Sequence, residues 1–143
     1  MKILGVDPGS RLTGFGCIRV EAGKMQVLGH GTLKLASTSG RQEVPLEQRL
    51  LDLFRGLSDV IEEMKPDVLV VERVFFAKNA VSSLKLGQAR GVVLLAVGAY
   101  GLQPSGYAPA TIKRNVAGHG HAGKPEIRTM VRAQLGLGKQ PPE

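Results

Sequence analysis

The chain has 143 residues, 43% of them apolar, and a formal charge of +7, which suits one compact domain that buries roughly two thirds of its unfolded surface and excludes a disordered chain. The charge is uneven: residues 1–72 carry 9 basic and 10 acidic side chains, and residues 73–143 carry 10 and 2. Such an imbalance fits a polyanion met on one face, although a solvated basic surface has the same composition.

Cys17 is the single cysteine, so no internal disulfide can form and a reducing compartment is expected. Asp7 interrupts any signal-peptide core, and the longest apolar run, 91–102, is too short to span a bilayer. The expectation is a soluble, cytoplasmic, single domain over 1–143, with no membrane partner.

In chain order, residues 2–7 are a short, mostly apolar run stopped by Pro8-Gly9, the pattern of a buried strand meeting a turn. Residues 13–20 and 25–35 read as two further strands, with a hairpin turn at 21–24. Residues 36–42, rich in Ser, Thr and Gly, read as a loop. Residues 45–64 give the clearest helix: Leu46, Leu50, Leu53, Leu57, Ile61 and Met64 recur at three- and four-residue intervals, with Glu47, Asp52, Arg55, Asp59 and Glu62 opposite. Pro45 suits its first turn, and Pro66 marks its end.

Residues 67–72, apolar on both faces, predict a central strand covered on both sides. A second helix is predicted over 82–100, where Gly87 and Gly91 suit tight helix packing, a subunit interface included. Residues 104–108 predict a last short strand, followed by helices near 109–116 and 125–135. The fold class is therefore α/β: a mixed five-stranded sheet, order 3-2-1-4-5, flanked by helices.

A right-handed crossover through the first helix sets strand 67–72 beside strand 2–6 and parallel to it. Asp7 and Glu72 then close neighbouring strands on one sheet edge, about 5 Å apart. Paired carboxylates there can anchor hard divalent cations. Two such ions about 4 Å apart can drive phosphodiester cleavage. Taken singly, Asp7 also suits a turn and Glu72 an exposed strand end; their joint placement favours chemistry. Gly5 to Gly14 also resembles the phosphate-binding hairpin of the actin and sugar-kinase superfamily, for whose second lobe the chain has no room.

The segments Val71-Glu-Arg-Val-Phe-Phe-Ala-Lys-Asn-Ala80 and Leu84-Lys-Leu-Gly-Gln-Ala-Arg-Gly91, with 1–9 and 107–132, closely resemble the RuvC family of Holliday junction resolvases. The resemblance covers nearly the whole chain. It implies an RNase H-like fold and a homodimer that cuts four-way DNA junctions by paired symmetric nicks. It also implies two Mg2+ ions per site, with Mn2+ able to substitute, and work alongside the RuvA–RuvB branch-migration complex. On this resemblance Asp7 and Glu72 are catalytic metal-holding carboxylates, and Lys113 and Lys124 act at or near the scissile phosphate. Phe75 stacks on a base near the junction centre.

The remaining residues fit DNA binding by their own chemistry. Phe75 and Phe76 can stack on unpaired bases, although Phe76 suits a core cap better. Lys78, Asn79, Lys85, Arg90, Arg114, Arg128 and Arg132 are expected to contact DNA, the basic ones by reaching backbone phosphates. The 118–123 segment, Gly-His-Gly-His-Ala-Gly, reads as a mobile DNA-contacting loop, with no third ligand near His119 and His121 for a metal. Cys17 reads as a small core residue. A junction-binding module without catalysis and a sugar-kinase-like phosphate-binding fold are the alternatives.

The family's last acidic cluster, on a C-terminal helix, would follow shortly after Pro141-Pro142-Glu143, so the expected form is a shortened resolvase lacking that helix. After Glu72 the acidic residues are Glu126 and Glu143. Two side chains fix Mg2+ poorly, and in-line attack tolerates placement errors of only about 1 Å. These 143 residues should therefore bind a four-way junction yet nick it far more slowly than a version extended through the next acidic cluster. Single-turnover nicking of one labelled junction at one Mg2+ concentration compares the two, and equal rates would refute the expectation.

Overall fold

The computed structural model describes residues 1–35, 43–73 and 79–138. The chain divides into two compact units, Met1–Gly106 and Tyr107–Glu143. The element order is β1 (Lys2–Asp7), β2 (Leu12–Glu21), β3 (Lys24–Lys34), α1 (Leu46–Met64), β4 (Val68–Glu72), α2 (Ala80–Ala99), β5 (Gln103–Tyr107), α3 (Pro109–Ala117) and α4 (Lys124–Leu135). The loop expected at 36–42 lies outside the described residues.

The sheet has the order β3-β2-β1-β4-β5, as the sequence predicts. The first three strands form an antiparallel meander, and β4 lies parallel to β1. Between β2 and β3 the register shifts: Cys17 faces Gly29 while Ile18 faces Val27. Leu28 is thus an extra residue on β3, a bulge that bends a long hairpin and that no alternation pattern marks. Gly31 accepts the ring of Phe15 across the pair, where a Cβ would come within 2.9 Å of it.

One face of the sheet carries the core. Leu4 and Val6 of β1, Cys17 of β2, and Leu69 and Val71 of β4 are buried against Leu53, Leu57 and Ile61 of α1 and Ala89, Val93 and Ala96 of α2. Burial pushes the Cys17 thiol up, partly offset by Lys2. The opposite face, with Ile3, Gly5, Val68 and Val70, is only half-buried, so β4 is less fully covered than its apolar sequence predicts.

Helix α1 ends at Lys65, whose left-handed backbone (φ 49°) donates its N–H to the Ile61 carbonyl before buried Pro66. Helix α2 begins two residues earlier than expected because the Asn79 side chain accepts the Ser82 N–H at 2.9 Å. By length and composition alone α2 is apolar enough to cross a membrane; here it packs one side into the core through Ala89, Val93 and Ala96.

Leu69 is fully buried and Leu51 of α1 is 40% exposed, so the two leucines should respond differently to truncation. Leu69→Ala should cost about 2–5 kcal/mol of stability, and Leu51→Ala within about 0.5 kcal/mol of nothing. Urea unfolding of both variants measures the difference. Equal losses would contradict the core assignment.

Candidate active site

The site is built by the start of its two strands as much as by their ends. The Lys2 backbone N–H donates to the Asp67 carboxylate at 2.6 Å, and the Asp67 N–H donates to the Lys2 carbonyl at 2.9 Å. The Lys2 ammonium also donates to the Met64 carbonyl at 3.1 Å, tying the end of α1 to the same point. From this clamp the parallel register runs Ile3 to Val68, Leu4 to Leu69, Gly5 to Val70 and Val6 to Val71. One further step sets Asp7 opposite Glu72.

Residues paired across a parallel ladder share a face, and faces alternate along each strand. Val6 and Val71 point into the core, so Asp7 and Glu72 both leave the opposite face, roughly one strand spacing (about 4.8 Å) apart. Asp7 is exposed and Glu72 half-buried. Two carboxylates at this spacing suit a hard divalent cation, whose remaining positions water and phosphate oxygens can complete. Among the described residues no group of three or more His, Cys, Asp or Glu side chains gathers to hold a metal.

The turn after Asp7 is tightly specified. A Cβ on Gly9 would meet the Leu12 carbonyl oxygen at 2.2 Å, which only glycine avoids. Thr13, buried at the start of β2, accepts the Gly9 N–H at 3.1 Å and donates its hydroxyl to the Gly9 carbonyl at 3.0 Å. The next carbonyl, Ser10, accepts Arg49 Nη1 of α1 at 3.1 Å. The Arg11 carbonyl accepts the Leu35 N–H at 2.8 Å. Three successive carbonyls are thus held from β2, from α1 and from the residue that follows β3.

Arg49 went unnoticed in the sequence, although a signal was there. It stands four residues before Leu53 and eight before Leu57, a charged residue inside the apolar stripe of α1.

The second unit carries the other residues singled out. Lys113 and Arg114 lie on α3, Lys124 opens α4, and Arg128 follows on the same helix. Arg132 donates to the Leu137 and Gly138 carbonyls, both at 3.3 Å, and so serves the end of α4. Within the 118–123 loop His119 Nε2 meets Glu126 Oε1 at 2.8 Å, and Ala122 is fully buried. In the first unit Lys85 and Arg90 sit half-buried on α2, and Asn79 spends its side-chain oxygen on the helix cap. Phe75, Phe76 and Lys78 lie outside the described residues.

A mixed sheet of order 3-2-1-4-5 flanked by helices is an RNase H-like fold. A sequence profile for crossover junction endodeoxyribonuclease RuvC matches residues 3–143. The chain is 45% identical over 135 residues to the protein of that name from Tolumonas auensis, covering 94% of this chain and 75% of the relative. With the Geobacter sulfurreducens protein of that name it shares 43% over 137 residues, covering 96% and 80%. A Thermus thermophilus RuvC solved in complex with a Holliday junction substrate superposes with a TM-score of 0.88 at 33% identity, covering all of this chain and 84% of that one.

The chain belongs to the RuvC family of crossover junction endodeoxyribonucleases. It is a hydrolytic endonuclease that resolves Holliday junctions in DNA recombination and repair, in a family whose nucleases depend on metal ions.

Proposed function

We propose that Asp7 and Glu72 hold the catalytic metal, two Mg2+ ions per site with Mn2+ able to substitute. The observation that carries this reading is the β1–β4 register, which brings both carboxylates to adjacent positions on one face. Divalent ions bound there neutralise phosphate charge and activate water for phosphodiester hydrolysis. Lys113 and Lys124 offset charge at or near the scissile phosphate, and Phe75 stacks on a base at the junction centre. Lys78, Asn79, Lys85, Arg90, Arg114 and Arg128 engage the DNA around it, the basic ones through its backbone. The substrate is the four-way junction itself, the ligand of the Thermus relative. The enzyme acts in the cytoplasm, as one nuclease domain, with the RuvA–RuvB branch-migration complex.

Two symmetric nicks call for two sites related by a two-fold axis, and so for a homodimer. The exposed side of α2 supports it. Leu84 and Leu95 are 64% and 62% exposed. Among the described residues a Cβ on Gly87, Gly91 or Gly98 would meet nothing within 4 Å. Small residues on an exposed helix side, beside exposed leucines, suit a second copy of the same helix.

Asp7→Asn and Glu72→Gln should each leave junction affinity within about threefold of the parent while lowering nicking by at least about a hundredfold, because isosteric amides keep the shape and lose the charge. Gel-shift titration and single-turnover nicking read the two quantities; a variant that nicks normally removes its residue from the site. Leu95→Glu should turn a dimer into a monomer in analytical ultracentrifugation, without changing the circular dichroism. A dimer of undiminished affinity would place the interface elsewhere.

A further inference from the structure

We infer that Arg49 is a positioning residue for the metal-holding edge: from α1 it grips the turn that follows Asp7 and so fixes where that carboxylate stands. This rests on the reading that Asp7 and Glu72 hold the metal. Arg49 is 3% exposed, and its guanidinium has few partners. Nη1 donates to the Ser10 carbonyl at 3.1 Å. Nη2 lies 3.9 Å from the Glu43 carboxylate, which pairs more closely with Arg11 at 2.8 Å. Nε is buried with no hydrogen-bond partner among the described residues.

A buried cation so sparsely paired is a poor way to stabilise a helix. An apolar side chain of similar volume in the same stripe is often neutral or better. What Arg49 supplies that an apolar residue cannot is a donor directed from the helix layer at a carbonyl three residues beyond Asp7. The other two holds on that turn, from Thr13 and Leu35, come from the sheet hairpin itself. Arg49 therefore ties the turn to α1, the helix that packs on β3 and α2. Metal sites are sensitive to such supporting bonds, whose loss commonly costs tenfold or more in affinity or rate.

The test uses the same chain as Arg49→Met, which fills the space without the donor, and Arg49→Lys, whose single ammonium cannot serve both Ser10 and Glu43 as the fork does. Mn2+ binding is read by electron paramagnetic resonance, turn mobility by amide hydrogen exchange, and junction affinity and nicking on a labelled four-way junction. Arg49→Met should keep junction affinity, exchange the amides of residues 9–13 faster with β4 unchanged, and bind Mn2+ and nick about tenfold more weakly. Arg49→Lys should fall between it and the parent.

A folded Arg49→Met with parental Mn2+ affinity and exchange overturns the inference. Should that variant fail to fold, Arg49→Lys decides. Weakened Mn2+ binding with faster exchange confined to 9–13 supports the inference, and parental values in both overturn it. Asp7→Asn tests the underlying reading separately. Parental Mn2+ binding in that variant removes Asp7 from the metal site, and the inference with it, whatever Arg49 does to the turn.

Discussion

The register between β1 and β4 is the constraint on which the site depends. Side chains alternate faces along a strand, so a slip of one residue would send Glu72 into the core and bring Val71 to the edge. Two features forbid the slip. Leu4, Val6, Leu69 and Val71 are all essentially buried on one face, and a one-residue slip of β4 would replace Val71 by Glu72 in that apolar packing. At the strand starts, the reciprocal Lys2–Asp67 backbone clamp fixes the phase before the ladder begins. The placing of Asp7 and Glu72 at one edge is therefore set partly by a carboxylate, Asp67, at the other.

The carboxylates pay no such tax as the core: they stand at strand ends, where backbone pairing is finishing and the chain is about to turn. Such ends fray unless the following segment is held. After β1 the holding is dense, with carbonyls at Gly9, Ser10 and Arg11 all accepting bonds. Glycine at position 9 is required because the turn folds back onto the Leu12 carbonyl. A tight turn and a buried arginine support Asp7 while leaving the carboxylate itself exposed to solvent.

Much of this was legible in the sequence, for identifiable reasons. Strands β1 and β4 announce themselves as short apolar runs cut off by Pro8-Gly9 and by Glu72-Arg73, and α1 by its apolar period. Together with the handedness of crossovers they yield the sheet order and the pairing of Asp7 with Glu72. Three features were not legible. The Leu28 bulge depends on how two strands meet, which neither strand encodes alone. The start of α2 turns on whether Asn79 caps it, and a polar residue before a helix has several possible uses. The loop at 118–123 has the glycines of a mobile segment, yet His119 finds Glu126 seven residues on, and Ala122 finds a buried position. Composition carries none of those contacts.

The run of charge along the chain reflects two opposed demands. A metal site for phosphodiester hydrolysis needs negative charge at one point, whereas binding a polyanion needs positive charge over a broad surface. The chain separates them in sequence: ten acidic residues lie at or before Glu72, and the next is Glu126. That later acid is engaged by His119, which holds it to one local contact inside the basic stretch. On the proposed reading Asp7 and Glu72, the first and last acids of the near-neutral stretch 1–72, hold the metal at strand ends, and the basic stretch after them engages the phosphates of the DNA.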